Sequence, residues 1–188
     1  MFSTREEWLV ALMSEVAPLF VSLGKPLPDR IRVTCGFGSG GTRGRKLKQV
    51  GECWSDTRSG DQSFEIMVAP TVDDPVKVAS ILVHELCHAA DRLQSGHRGE
   101  FARLARGLFL EGPLTATVAG PSFTSMIQPI LDGLGAYPHA RLDASMRTKQ
   151  GIRMLKCVCP SCGYTVRTTA KWLAFGSPIC PVDNLAMS

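Results

Sequence analysis

Residues 84–88 read His-Glu-Leu-Cys-His, and these side chains at this spacing can hold a metal ion beside a base. On a helix, residues four apart lie one turn apart on one face, so His84 and His88 can aim their imidazoles at one point. Zinc takes imidazole nitrogen at about 2.0–2.1 Å, and a catalytic zinc site keeps three protein ligands and a place for water. Glu85 sits about 100° around the helix from His84, where it can reach that water without becoming a ligand. Such a set does hydrolysis: the ion acidifies the water, the carboxylate takes its proton, and the oxygen attacks a polarised carbonyl. Cys87 faces away from the two imidazoles and reads as a small buried hydrophobe.

A third ligand is needed, and His97 is the first candidate. It follows a Ser95-Gly96 stop, so the chain can turn there and bring the side chain back. Eight residues separate His88 from His97, whereas the metzincin pattern has five, which excludes that class. Asp91, seven residues after His84, is an alternative ligand or supporting partner, and Glu100 or Glu111 could supply a carboxylate. Tyr137 and His139, in Ala-Tyr-Pro-His, could stabilise an oxyanion or simply form a turn.

The elements that must position these groups are legible around them. Asp73-Asp74-Pro75 is a helix start, predicting a helix from about Pro75 to Ser95 that ends at Gly96. A second, amphipathic helix is expected over 99–110. Before the metal helix, Ile31, Val33 and Cys35 alternate with polar residues as a short strand. Residues 49–55 and 63–68 read as two strands joined by a turn near Ser59-Gly60-Asp61; 63–68 could act as an edge strand that holds an extended substrate, and an ordinary buried strand explains its residues equally well. Ser3 and Glu6 form a capping-box pattern for an N-terminal helix with apolar residues at helical spacing, and Pro18 is a break or restart in it. Residues 36–46 are a Gly-rich basic loop, not a phosphate-binding loop, because no Gly-Lys-Ser/Thr closes it. Residues 112–135 carry no clear pattern.

The 188 residues suffice for a medium domain plus a small appendage. Hydrophobic residues make up 44% of the chain, enough for a core, yet no apolar run reaches the roughly 20 residues of a membrane span. Arg5, Glu6 and Glu7 interrupt the N-terminus where a secretory signal needs an apolar run, so a cytoplasmic protein with no membrane partner is expected.

Charge and cysteine are both concentrated at the end. From Arg141 onward the formal charge is +5 within a total of +4, and a basic tail suggests a polyanionic partner. Cys157, Cys159, Cys162 and Cys180 gather there, and clustered cysteines in a non-exported chain argue for metal over disulfides. Cys159-Pro-Ser-Cys162-Gly-Tyr has the look of a zinc knuckle, but the second half reads Cys180-Pro-Val-Asp183. Cys159, Cys162 and Cys180 are three expected ligands of a structural zinc. Four-sulfur closure favours Cys157 as the fourth, and spacing favours Asp183.

HELCHAADRL, the following GHRGEF and the tail LKCVCPSCGYTVRTTAKWL together resemble the SprT-like (Spartan-related) metallopeptidases, especially bacterial and phage members with a C-terminal zinc ribbon. The likeness covers roughly residues 45–185. It implies an α+β architecture: a zincin-like minimal metallopeptidase domain over 1–150, with a small mixed sheet and an active-site helix, then a zinc-ribbon-like domain over 151–188. It also implies that His84, His88 and His97 bind a catalytic zinc, that Glu85 is catalytic, and that the substrate is protein. Spartan-type relatives cleave proteins crosslinked to DNA, so DNA, particularly single-stranded, is an expected partner. Arg153, Lys156, Arg167, Lys171 and Trp172 are the candidate contacts to phosphates and bases. Competing readings are a DNA-binding zinc protein with a non-catalytic site and a zinc hydrolase of small molecules or the cell wall.

Overall fold

The computed structural model describes residues 2–39, 49–143 and 154–188. The chain divides into two compact units, Met1–Ala144 and Ser145–Ser188, and its class is mixed α+β. Most of the Gly-rich 36–46 loop, the expected 150/151 boundary and Arg153 lie outside the described residues. No helix among the described residues is long and apolar enough to cross a membrane.

In the first unit, helix α1 spans Arg5–Ser22 and buries Trp8, Leu9, Leu12, Val16 and Phe20, spaced one turn apart along one stripe. Its capping box lies one residue later than expected: Thr4 accepts from Glu7 N–H, and Glu7 returns to the cap. Glu6 instead accepts from Cys35 N–H at 3.0 Å, tying the helix start to the end of strand β1 (Ile31–Cys35). The expected break at Pro18 does not occur. Proline removes one intrahelical hydrogen bond, but the buried residues on both sides of it hold the helix to the core.

Strands β2 (Gly51–Trp54) and β3 (Phe64–Val68) complete a three-stranded sheet in the order β1-β3-β2. Strand β3 is parallel to β1, with Val33 opposite Ile66, and antiparallel to β2, with Cys53 opposite Ile66. Of the two readings of 63–68, the structure takes the ordinary buried strand and not the edge strand. Phe64, Ile66 and Val68 are buried in the core, and both strand sides are hydrogen-bonded, so the edge strands among the described residues are β1 and β2, and β2 is the one along α2.

Helix α2 (Pro75–Ala90) is started by Asp74, which accepts from Lys77 N–H at 2.8 Å, with Pro75 in its first turn. It stops well before the expected Ser95. The buried Asp91 carboxylate accepts from Ser95 N–H at 2.7 Å and from Ser95 Oγ at 2.8 Å, giving the backbone an alternative to helix. Arg92 and Leu93 then adopt left-handed backbone, with φ of 53° and 55°. Non-glycine residues there cost about 1–3 kcal/mol each, so the stop is enforced by its surroundings.

Helix α3 covers Gly99–Gly107, three residues shorter than expected, ending where Phe109 takes φ 60°. The unassigned stretch holds strand β5 (Val118–Ala119), paired with β4 (Leu110–Glu111), and helix α4 (Pro121–Leu134). An internal Pro129 and glycines at both ends conceal α4 in the sequence.

Arg5 knits this unit together. It is buried, and its guanidinium donates to the carbonyls of Ala140 at 2.6 Å, Pro70 at 3.3 Å and Pro138 at 3.4 Å. The same group lies 5.6 Å from the centre of the Tyr137 ring, which packs edge-on against Trp8. Replacing Arg5 by Met keeps the packing stem but takes a donor from three carbonyls, of which only that of Pro70 keeps another, the Leu142 N–H. Arg5→Met is expected to lower unfolding free energy by about 3 kcal/mol, as read from a urea midpoint.

Candidate functional site

The early stop of α2 decides where the third histidine goes. After Asp91 the chain doubles back through Gly96, with φ 57°, and Arg98 N–H returns to the Ser95 carbonyl at 3.1 Å. His97 therefore faces the last two turns of α2. Its Nε2 lies 3.2 Å from His88 Nε2, and one ligand nitrogen from each of His84, His88 and His97 falls within 4.8 Å of the others. Two nitrogens bound tetrahedrally at about 2.05 Å would be about 3.3 Å apart. The trio fits a metal ion.

Phe101, fully buried in the first turn of α3, backs all three rings. It stacks on His88 with centroids 4.2 Å apart and meets His84 and His97 at 5.0 Å each. Sequence reasoning assigned it no role; its place in the first turn after the third histidine was the available signal. Thr117 was missed as well, because its segment had no pattern. Its Oγ1 lies 2.8 Å from His84 Nδ1.

The histidines line a cleft of about 910 Å³ whose other wall is β2, with Glu85 and Thr117 also on its surface. Glu85 is buried, and Gly51 of β2 lies against it: a Cβ at 51 would collide with Glu85 Oε1 and come within 2.8 Å of Ile81 Cγ2. Burial, with help from the negative charge of Glu52, pushes the Glu85 carboxyl up to about 8. Burial also depresses the imidazoles: His84 falls to about 4, with the charge of His97 adding, and His88 falls to about 3. Neutral imidazoles are the ligand form. A neutral carboxyl beside them adds no charge to the buried donor set, and a cation there would draw Glu85 back to its carboxylate.

The other candidates stand elsewhere. Asp91 spends both oxygens on Ser95, Glu100 pairs with Arg103 on the surface, and the Glu111 carboxylate lies against Gly120. Tyr137 belongs to the core beneath Arg5, and His139 is exposed. Cys87 is fully buried, and burial raises its thiol further above its usual range.

The second unit holds strands β6 (Leu155–Val158) and β7 (Thr165–Thr168), then helix α5 (Ala170–Leu173). Cys159, Cys162, Cys180 and Asp183 form a second group able to hold a metal ion. Two turns of matching design build it. Cys159 N–H donates to the Tyr164 carbonyl and Gly163 N–H to that of Cys159; likewise Cys180 N–H donates to Leu185 and Asn184 N–H to Cys180. Gly163 and Asn184 take φ of 75° and 59° at equivalent places. Asp183 thus occupies in the second turn the position of Cys162 in the first, with Oδ2 3.3 Å from Cys159 Sγ. Cys157 lies outside this group, buried with Met187 in the small core.

Of the candidate nucleic-acid contacts, Lys156 and Arg167 are exposed and directly opposite each other across β6 and β7. Lys171 lies 5.1 Å from the centre of the Trp172 ring, and Trp172 neighbours Phe175, which is 81% exposed.

If four ligands share a structural-site free energy of about 10–16 kcal/mol, one is worth roughly 3 kcal/mol. Asp183→Ala should therefore weaken tail metal binding by about a hundredfold in chelator competition, and Cys157→Ser should leave its stoichiometry unchanged. Compared with protein-family models, curated proteins and solved structures, the chain gives no match.

Proposed function

We propose that this chain is a zinc-dependent endopeptidase of the SprT-like kind, with a zincin-like catalytic domain and a zinc-ribbon-like tail, acting on DNA-associated proteins. One observation carries the reading: three imidazole nitrogens converge beside a buried carboxyl in a cleft walled by an open sheet edge. A three-histidine set with a neighbouring carboxyl suits a catalytic zinc, and three thiolates with one carboxylate suit a structural one. When bound, the catalytic ion polarises the substrate carbonyl and acidifies water.

The protein's own groups do the rest. Glu85, ionised once a cation offsets its burial, takes a proton from the attacking water and passes it to the leaving amine. Phe101 and Thr117 hold the rings that surround it. The outer edge of β2, unpaired among the described residues, presents backbone N–H and C=O groups along the cleft, and these bind an extended peptide better than a compact small molecule. Gly51 leaves the room that the Glu85 carboxyl needs.

The tail favours a polyanion nearby. Two cations directly opposite on a two-stranded ribbon repel each other, and a phosphate backbone relieves that cost. Exposed Trp172 and Phe175 offer faces on which single-stranded bases stack. The alternative, a DNA-binding zinc protein with a non-catalytic site, leaves Glu85 without a task that would offset burying its carboxyl.

The test is cleavage of casein or histone by the zinc-loaded protein, with and without single-stranded DNA. Wild type should cut, faster with DNA and less so as salt rises. Glu85→Gln should retain its metal and lose about 10²- to 10⁴-fold in rate. Equal rates for the two proteins would sink the peptidase reading. In the same assay Gly51→Ala, which pushes the Glu85 carboxyl aside, should keep metal content while losing about a hundredfold in turnover.

A further inference from the structure

The Nδ1 atom of His84 lies 2.8 Å from Thr117 Oγ1. We infer that Thr117 is a positioning residue for the metal centre, holding His84 in the tautomer and orientation in which Nε2 faces the ion. The inference rests on the reading that His84, His88 and His97 hold a metal. It adds a residue outside the ligand set and outside the general base.

A neutral ring carries one proton, on Nδ1 or on Nε2. With the proton on Nδ1, the ring donates to Oγ1 of Thr117 and Nε2 keeps a free lone pair. With the threonine hydroxyl donating to Nδ1, the ring proton must sit on Nε2, which then cannot bind metal. Metal binding selects the first arrangement, and a hydroxyl oxygen is the acceptor it needs.

The fold delivers that oxygen deliberately. Strand β5 begins at Val118, the residue after Thr117, and Val118 pairs with Glu111 of β4. This ribbon places residues 115–118 along the cleft, facing α2. His88 is held by a different device: its Nδ1 is buried with no hydrogen-bond partner, and its ring lies flat against Phe101. His84 meets Phe101 only edge-on, so stacking alone does not fix its rotation. The hydroxyl of Thr117 supplies the missing constraint.

The experiment is a cobalt(II) titration of the full chain under chelator competition, comparing wild type, Thr117→Val and Thr117→Ser. The thiolate-rich tail site absorbs through sulfur-to-cobalt charge transfer and the histidine site does not, so the two are read separately. Thr117→Val keeps the side chain's shape and removes the acceptor; it should weaken the histidine site by about 10- to 100-fold and leave the tail site unchanged. Thr117→Ser should restore near-wild-type affinity. In zinc-loaded wild type, nitrogen-15 NMR should find a slowly exchanging proton on His84 Nδ1. Unchanged affinity in Thr117→Val, a serine variant as weak as the valine one, or no protected Nδ1 proton would each overturn the inference. The NMR measurement decides the matter even if Thr117→Val fails to fold. Wild type that takes up no metal at the histidines would instead overturn the metal reading itself.

Discussion

A helix that ends two residues after its second histidine is the constraint on which the rest of the first unit depends. Had α2 continued to Ser95, His97 would have been carried about 1.5 Å further along the axis with each added residue, away from its partners. The Asp91 carboxylate prevents this by accepting from Ser95, and two left-handed residues complete the reversal. Left-handed backbone at Arg92 and Leu93 is an energetic cost borne at the site, and what it secures is a nitrogen 3.2 Å from His88.

The buried donor groups so gathered are electrically quiet. Burial holds two imidazoles neutral and also favours the protonated form of Glu85, so three groups with very different ordinary pKa values share one uncharged state. A neutral set of nitrogen and oxygen donors is poised for a cation, whose charge would act on the buried Glu85 at reduced effective dielectric. Phe101 supports this arrangement from behind, filling the space where water would otherwise solvate the rings. The same burial that makes the site costly to assemble makes it responsive to a bound ion.

The second unit solves a different problem. Its buried cluster consists of Cys157, Cys159, Cys180 and Met187, with Val166 and Leu173 against it, too little apolar surface to hold a fold by itself. Paired turns that bring three thiols and one carboxylate together offer a metal in place of a core. That economy leaves Trp172, Phe175 and the basic ribbon face exposed.

Composition and spacing by themselves determined the ligand types of both candidate metal groups and the starts of α2 and α3. Ligand types are chemical facts of the side chains, and a four-residue interval already places His84 and His88 on one helical face. Capping residues such as Asp74 act through neighbours three positions away, so helix starts were readable too. Only the tertiary structure decided the end of α2, the central place of β3, the continuity of α1 through Pro18 and the choice of Asp183 over Cys157. The same is true of Phe101 and Thr117. Apart from the stop of α2, which Asp91 makes with a residue only four positions on, each of these depends on what packs or bonds across a long stretch of chain, where burial and hydrogen bonding outweigh the local preferences that sequence patterns report.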